Sequence, residues 1–519
     1  MNHETSSPDE VMSDSAASAQ SQGSYRRILS ATSLLGGATA INVIIGMARS
    51  KLVAVLLGPA GVGLMGTYQS VVALIAAIVG GGLGFSGVRE IAEARGCGDV
   101  ERTRNTIFTL RSLCLVLGLT GTLLLVAAAW PAALFTFKDA SHAIPLALLS
   151  VMVGIGVASS YFTVLIQSEG RIKDLVKVNV IGGLLVTVAT LGCFALWGRG
   201  GIVPAMIAGA VVQCATTVWY ARGSALPMPR ADTVFGSDIA KRLFSLGGVM
   251  VFLGIASNLV LYLQRRIIMS SLGEESVGVF QAATSLSGLY AGYVLGAMGT
   301  DFLPRLSAVA HDHPSMNRLV NEQTSVALLL GLPGIVGTIL MAPLIVPLFY
   351  SEAFAPAVPV LQWMSVGIFG RLLSWPMAYV MIAKHAVGWN IAAEVFGHVV
   401  LLLATALLIP ISGVSASGFA SIASYMCYTV VVWRISANLT GCKWTSPVTK
   451  LVTACAAAIS MSLALVGFYP NPYAIGFGVA LLLVVCVLCL RALSLASGLD
   501  HVSVVRKLRA LLSSSRPRA

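Results

Sequence analysis

Long apolar runs alternate with short polar segments along most of this chain. Each run holds about 20 or more mostly apolar residues, which is the length a helix needs to cross a bilayer. The runs lie near 31–57, 62–87, 105–130, 143–166, 176–197 and 201–221 in the first half, near 244–271, 276–301, 322–349, 357–382, 389–410 and 414–434 in the second, and near 449–468 and 473–493 at the end. The pattern predicts an all-α polytopic membrane protein with about 14 transmembrane helices.

The polar segments divide this predicted protein into regions. Residues 1–25 are Ser-rich and acidic with few large apolar side chains, which is typical of a disordered tail. The regions expected after that tail are an N-terminal six-helix bundle at 26–221, a connector at 222–243, a C-terminal six-helix bundle at 244–434, an extra helix pair at 449–493 and a basic tail at 494–519.

The two predicted bundles carry an internal repeat. The octamer LGPAGVGL at 57–64 aligns with LGEESVGV at 272–279, an offset of 215. A second alignment, Gly201-Ile202 with Gly413-Val414, gives an offset of 212. Two homologous halves of six helices each insert in the same orientation, because six is an even number. The halves are therefore expected to be parallel repeats, as in two-bundle transporters.

Composition and loop charge support a membrane protein and set its orientation. Of the 519 residues, 56% are hydrophobic and only 10% are charged, against about a quarter charged in soluble domains. The net charge of +12 comes mostly from cations in short loops on one predicted side, whereas the opposite loops hold only Lys138 and Arg199. Basic loops face the cytoplasm, so we expect both termini there and no nucleic-acid partner.

The charges inside the predicted helices are mainly positive. Arg49 and Lys51 lie in the first helix, Arg265 and Arg266 in the seventh and Arg371 in the tenth, whereas Glu394 is the one carboxylate well inside a span. A charge at the bilayer centre costs about 2.5–3.5 kcal/mol on insertion scales, so such residues are functional candidates by default. Guanidinium groups match phosphoryl oxygens in a bidentate way, and a cationic cavity therefore suits a phosphate or pyrophosphate. Snorkelling, or an Arg371–Glu394 pair, is the structural alternative.

Other motifs favour structural roles. Gly288, Gly292 and Gly296 form a stripe of small residues, for which close helix packing is the expected reason. His311 and His313 are a weak metal signal, because no further ligands cluster with them. The sequence contains no Walker A loop or G-x-S-x-G elbow. We therefore expect no catalytic residues, no metal and no cofactor.

Several segments together resemble one family of transporters. They are GMARSKLVAVLLGPAGVGLMGTYQSV, VGVFQAATSLSGLY, FLPRLS, and the pair YVMIAK and AAEVF. In this order they are similar to Wzx-type flippases of the polysaccharide transport branch of the MOP superfamily, closest to the O-antigen and lipid III (enterobacterial common antigen) translocases. The resemblance covers about residues 26–435.

This resemblance implies both a substrate and a location. It implies a flippase that moves an undecaprenyl-diphosphate-linked oligosaccharide, such as an O-antigen repeat unit for lipopolysaccharide, from the inner to the outer leaflet of a bacterial inner membrane. Membrane lipids, a polysaccharide polymerase and a chain-length regulator are the implied partners. Arg49 matches an arginine that meets pyrophosphate in related lipid II flippases, and Arg371 falls where the lipid III pattern has a lysine. Ile368 departs from the pattern, which has an aspartate there.

Two other functions remain open at this point. A cation-coupled multidrug exporter of the same superfamily would need more membrane carboxylates than this chain has. An O-antigen polymerase or ligase usually needs a sizeable outer loop, whereas the longest predicted outer loop runs only from about Trp130 to His142.

Overall fold

A computed structural model describes residues 8–80, 82–227, 234–245, 248–468 and 472–496. These residues form helices joined by short turns, and none of them lies in a β-strand. The α-helices are α1 (Pro8–Gly80), α2 (Leu83–Gly96), α3 (Val100–Phe137), α4 (Ala143–Leu149), α5 (Val151–Ser168), α6 (Ile172–Trp197), α7 (Ile202–Ala221), α8 (Ser237–Ser245), α9 (Gly248–Leu272), α10 (Glu274–Ala308), α11 (His313–Phe349), α12 (Ala357–Ala383), α13 (Val387–Ser412), α14 (Ala416–Thr440), α15 (Ser446–Val466) and α16 (Pro472–Ala496).

The described helices confirm an all-α polytopic membrane protein. Within the described ranges, ten helical segments are long and apolar enough to cross a membrane. Three of them are much longer than the rest and contain a break at Gly58, Gly198 or Gly413: Thr39–Gly96, Ile172–Ala221 and Val387–Thr440. Each of these three is long enough for two crossings at about 20 residues per crossing. The number fourteen stays a prediction.

The described part of the N-terminal segment belongs to α1. The structure gives residues 8–25 a helical backbone at the start of α1, where composition predicts a disordered tail. Pro8 suits the first turn of a helix, since its missing N–H is one that this turn leaves unpaired anyway. Residues 1–7 and the predicted basic tail from residue 497 onward lie outside the described residues.

The chain forms two compact units. One contains residues 1–53, 75–132 and 141–251, and the other contains residues 54–74, 133–140 and 252–519. The second unit thus includes the middle of α1 and the last turn of α3, which the predicted bundle boundaries assign to the first half.

The two halves share unusual backbone geometry at matched positions. Gly58 has φ 65° and ψ −176°, and Gly273, its match in the octamer alignment, has φ 83° and ψ −178°. Gly198 (φ 51°, ψ −129°) and Gly413 (φ 56°, ψ −136°) form a second pair at the same offset. Glycine reaches these conformations readily because it has no Cβ. The pairing of Gly201 with Gly413 is therefore wrong, and Gly198 is the true counterpart.

A slightly smaller offset applies between these glycine pairs. The N-cap Asp99 accepts a hydrogen bond from the Arg102 N–H, and Asp312, its counterpart in the second half, accepts one from the Ser315 N–H. The bond from Ser315 lowers the pKa of Asp312 below its usual range. The 3-10 helices Ala140–His142 and Glu352–Phe354 also occupy matching places in the two halves. The repeat is confirmed in geometry, and small insertions account for the change of offset along it.

Two matched glycines in the second unit make a reciprocal backbone contact. A Cβ added to Gly63 would lie 2.1 Å from the Glu274 carbonyl oxygen, and one added to Gly278 would lie 1.9 Å from the Pro59 carbonyl oxygen. The octamer alignment pairs Gly63 with Gly278 and Pro59 with Glu274. The start of α10 therefore crosses α1 at a distance that no side chain larger than hydrogen permits. We call this contact the glycine crossing.

The connector packs against the first unit through α8. Ile239 and Leu243 are buried in an apolar cluster, and the Gly236 N–H donates to the Thr109 hydroxyl. The Arg242 Nε lies 2.6 Å from a carboxylate oxygen of Glu90, whose side chain is only 3% exposed. A buried carboxylate requires such a partner, since an unpaired one is costly.

Helix α12 is the centre of the second unit. It packs against α10, α11, α13 and α14. Its apolar side chains join two clusters, one around Leu372 and Ile339 and the other around Met377 and Phe302. The extra pair α15 and α16 joins the first of these clusters through residues that include Cys455 and Cys489. The pair thus extends the core of α11 and α12.

The matched glycines provide a stability prediction. Gly413→Ala is expected to lower the free energy of unfolding by about 1–3 kcal/mol, because alanine avoids this backbone region. Gly388→Ala in α13 is the control, since a Cβ there meets nothing within 4 Å. It should leave stability unchanged or raise it by up to about 1 kcal/mol. Thermal unfolding in detergent measures both; equal midpoints would contradict the prediction.

Candidate functional site

Arg371 lies in the wall of a cavity between α10 and α12. The cavity has a volume of about 430 Å³, and its lining includes Gly292, Gly296 and Gly299 of α10 and Arg371, Trp375 and Tyr379 of α12. Spacings of four residues place the three α12 side chains on one face of the helix. Because the guanidinium makes no hydrogen bond or ion pair with any residue in the described part of the chain, it can bind an anion.

Aromatic rings form the other part of this cavity wall. The Trp375 and Tyr379 ring centroids are 4.5 Å apart, and Phe302 lies behind them at 5.8 Å and 5.7 Å. Phe302 is buried, whereas Trp375 and Tyr379 are partly exposed. The cavity therefore offers one cation and an aromatic surface side by side.

Gly292 and Gly296 of the α10 glycine stripe line this cavity instead of packing against a helix. A Cβ added to Gly288, Gly292 or Gly296 would meet no atom of the described residues within 4 Å. The expectation of close helix packing for these residues is therefore wrong. At Gly299, one turn further, an added Cβ would lie 2.9 Å from the Tyr379 hydroxyl oxygen. The stripe removes side-chain volume where it faces the Arg371 cavity, and it ends in contact with α12.

Glu394 of α13 does not form the ion pair with Arg371 that the sequence allows. Its carboxylate accepts a hydrogen bond of 2.7 Å from the hydroxyl of Tyr428, a buried residue of α14. Arg371 and Glu394 lie within electrostatic range of the same tyrosine, but no ion pair within 4.0 Å joins them. Nδ1 of His398, one turn along α13, is buried and has no hydrogen-bond partner among the described residues. Arg371 thus keeps its charge unpaired although a carboxylate is near.

Arg265 of α9 is deeply buried and incompletely satisfied. Only 6% of the residue is exposed. One terminal nitrogen donates to the side-chain oxygen of Gln281, whose amide nitrogen donates to the Ser285 hydroxyl at 3.0 Å. The Nε atom of Arg265 has no hydrogen-bond partner in the part of the chain that the structure describes. A chain of polar groups therefore runs from α9 onto α10.

Arg266 points to a different partner. Its guanidinium carbon lies 4.1 Å from the centroid of the Phe135 ring, and its Nε donates to the Phe135 carbonyl at 3.1 Å. Phe135 lies in the last turn of α3. This cation–π contact ties α9 to that turn. Neither Arg265 nor Arg266 is among the residues that line the Arg371 cavity.

Arg49 and Lys51 belong to the first unit. Both are partly buried in α1, and Arg49 has no hydrogen bond or ion pair among the described residues. That all six predicted residues bind one substrate stays a prediction. Four lie in the second unit, where Arg371 and Glu394 share Tyr428 as a neighbour and the two arginines of α9 have partners of their own.

Sequence reasoning missed the aromatic half of the Arg371 cavity. Trp375 and Tyr379 follow Arg371 at intervals of four, the spacing that puts side chains on one helical face. That spacing was a usable signal. Gln281 and Tyr428 had no such signal, because their partners lie on other helices.

A second cavity lies in the first unit. It has a volume of about 470 Å³ and is largely apolar, with Ile155 on α5 and Val211 and Trp219 on α7. Arg222 lies at its edge, 5.8 Å from the Trp219 ring centroid. This arrangement is typical of residues at a membrane interface.

The fold is similar to those of solved transporters. A multidrug resistance MATE family transporter of the MOP superfamily, in an inward-facing conformation, has a TM-score of 0.68 at 17% identity, covering 78% of this chain and 96% of that one. The lipid II flippase MurJ in an inward closed conformation has a TM-score of 0.64 at 13% identity, covering 89% and 98%. The chain is thus a multi-pass membrane protein with the fold of the MOP-superfamily transporters.

Sequence comparison then gives the family. The polysaccharide biosynthesis protein family matches residues 52–359, and the chain belongs to that family. The lipid III flippase of Escherichia coli (strain K12) is 21% identical over 408 residues, which cover 76% of this chain and 96% of the relative. A Shigella flexneri protein named "Putative O-antigen transporter" is 24% identical over 326 residues, covering 61% and 76%. The family resemblance recognised in the motifs is confirmed.

Proposed function

We propose that this protein is a flippase for undecaprenyl-diphosphate-linked oligosaccharide, such as an O-antigen or similar repeat unit. It moves the lipid from the cytoplasmic to the periplasmic leaflet of a bacterial inner membrane, with both termini in the cytoplasm. Membership of the polysaccharide biosynthesis family and relatives named as a lipid III flippase and an O-antigen transporter support this proposal.

The observation that carries the proposal is the unpaired Arg371 in its cavity. A guanidinium inside a membrane protein is expensive unless an anion or water compensates it, and the nearby Glu394 does not pair with it. A diphosphate supplies the compensating charge in a geometry that guanidinium prefers. A cationic drug would be repelled by the same group, which disfavours the multidrug exporter.

In the proposed cycle, the diphosphate enters the cationic cavity from the cytoplasmic leaflet while the polyprenyl tail remains in lipid. Arg49, Lys51, Arg265 and Arg371 are the cations proposed to attract the diphosphate. Alternating access then exposes the substrate to the other side. The reaction breaks no bond, so the protein needs no catalytic residue or cofactor. A polysaccharide polymerase and a chain-length regulator are proposed partners that use the exported lipid.

Leaflet transfer in reconstituted vesicles tests the proposal. We expect native protein to move the diphosphate-linked oligosaccharide and Arg371→Ala and Arg49→Ala to slow transfer by about 10-fold or more, because charge-assisted bonds to one group contribute about 1.5–3 kcal/mol. Arg199→Ala, which removes an exposed arginine between α6 and α7, is the control and should match native protein.

The outcomes separate the substrate from the site. Absence of transfer by folded native protein for every lipid-linked glycan offered would contradict the substrate class. If both arginine variants transfer the lipid at the native rate, the proposed flippase function stands, but the proposed role of Arg49 and Arg371 is contradicted. Efflux of a cationic drug that stops when Glu394 is changed to Gln would favour the multidrug exporter instead.

A further inference from the structure

We infer that Trp375 and Tyr379 form a stacking surface for the first sugar of the lipid-linked glycan, next to the diphosphate held by Arg371. This inference rests on the proposed function, since it names a subsite of the same cavity. It adds two residues that bind the glycan and a limit on how much of the glycan the cavity contains.

The order of side chains along α12 fits the order of groups in the substrate. Arg371, Trp375 and Tyr379 are successive residues of one helical face, about 6 Å apart per interval at 1.5 Å per residue. In a diphosphate-linked glycan the first sugar is bonded directly to the diphosphate. With the diphosphate at Arg371, that sugar reaches the Trp375 ring one turn away and the Tyr379 ring after it.

The aromatic pair is suited to a sugar ring. Aromatic faces carry partial negative charge, which attracts the positively polarised C–H groups of a pyranose. The Trp375 and Tyr379 rings are tilted by 48° to each other, and buried Phe302 holds them from behind. The Tyr379 hydroxyl makes no hydrogen bond within the described ranges, so it can bond to a sugar hydroxyl. Both rings pack against a buried apolar cluster on one side and line the cavity on the other.

The cavity volume limits the subsite to a small part of the glycan. Its 430 Å³ is near the lower end of the range of about 300–1,000 Å³ for small-ligand sites. Gly292 and Gly296 provide space opposite the aromatic rings, because neither has a side chain and an added Cβ at either would meet no described residue within 4 Å. A diphosphate and one monosaccharide fill such a volume, so the more distant sugars lie outside it. The subsite therefore binds only the first sugar of the glycan.

Binding of three lipids in detergent or nanodiscs tests the inference. The probes are a polyprenyl diphosphate without sugar, the same lipid with one hexose, and the same lipid with an oligosaccharide that begins with that hexose. We expect native protein to bind the one-hexose lipid about 10-fold more tightly than the sugar-free lipid, a preference in the range of aromatic contacts. The oligosaccharide should add little to that affinity.

Variants in the cavity identify the residues responsible. Trp375→Leu should abolish the preference for the hexose while leaving affinity for the sugar-free lipid, and Trp375→Phe should retain most of the preference. Gly296→Val should weaken binding of the hexose lipid by filling the cavity. Gly288→Val is the matched control: its Cβ also meets open space, but Gly288 does not line the cavity.

Three results would overturn the inference. Native protein could bind the hexose and sugar-free lipids equally, in which case no sugar subsite exists. Trp375→Leu could weaken both lipids by the same factor, which would make Trp375 a structural residue. If native protein binds none of the three probes, the proposed function fails as well, whereas diphosphate binding without a hexose preference leaves that function intact.

Discussion

Gly278→Val is expected to destabilise the folded protein by about 3 kcal/mol or more, toward the upper end of the cost of overpacking. A Cβ at Gly278 would overlap the Pro59 carbonyl oxygen at 1.9 Å and its carbon at 2.7 Å. Both are backbone atoms, so no side-chain rotation relieves the overlap. The two helices have to separate, and neighbouring packing at the start of α10 separates with them.

Thermal unfolding and size-exclusion profiles in detergent measure this effect. Gly288→Val, further along α10 in open space, is the control for placing a β-branched residue in this helix. A double-mutant cycle with Gly63→Ala and Gly278→Ala sharpens the test. Because either alanine alone forces the backbones apart, the second should cost less than the first, and the sum of the single effects should exceed the effect of the pair. Strict additivity would mean that the two sites relax independently.

Arg265→Met combined with Gln281→Leu should lower transport and raise stability. A buried arginine with an unsatisfied Nε has a desolvation cost that its single bond to Gln281 does not recover. Methionine is similar in length, and replacing buried ionic groups with apolar ones can stabilise by about 1–4 kcal/mol. Removing the arginine also leaves the Gln281 side-chain oxygen without its donor, which costs about 1–3 kcal/mol of stability. The full gain in stability is therefore expected only when Arg265→Met and Gln281→Leu are combined.

Transport of the diphosphate lipid should fall about 10-fold or more in the same variants, since one charge-assisted bond to the substrate is lost. The comparison of transfer rate with unfolding temperature decides the role of Arg265. Slower transfer at equal or higher stability in the double variant indicates that this charge is kept for the substrate. Loss of stability in parallel with transport would assign it a structural role instead. Arg266→Met, at the Phe135 contact, serves as the matched control.

The fold class followed from features that act along the chain itself. Apolar runs of spanning length predict helices because a backbone in lipid has to satisfy its own hydrogen bonds, and no described residue contradicts this. The octamers at 57–64 and 272–279 predicted the repeat correctly because Gly58 and Gly273 share a conformation that glycine adopts most easily. The Gly201–Gly413 alignment failed, since a single glycine match cannot distinguish Gly198 from Gly201.

The candidate site was predictable only as a set of charges. Arg371 and Glu394 stand out in a sequence because ionised side chains are rare in membrane spans. The sequence does not reveal that these two residues are unpaired with each other, because Tyr428, which donates a hydrogen bond to Glu394, lies on another helix. Likewise, the spacing of Gly288, Gly292 and Gly296 in the sequence is the same whether a helix or a cavity lies opposite these glycines. Such questions depend on the distances between helices, which the local pattern leaves open.

The glycine crossing also explains what duplication preserves. Pro59 and Glu274 have nothing in common as side chains, yet both make the same contact because each uses its carbonyl oxygen. Sequence divergence could therefore place proline in one half and glutamate in the other without affecting the glycine that each contacts. Gly63 and Gly278 could not be replaced by a residue with a side chain, because a Cβ at either position would overlap the backbone of the partner helix. When the two halves of a duplicated chain diverge in sequence, a contact between their backbones is marked by glycines at the matched positions.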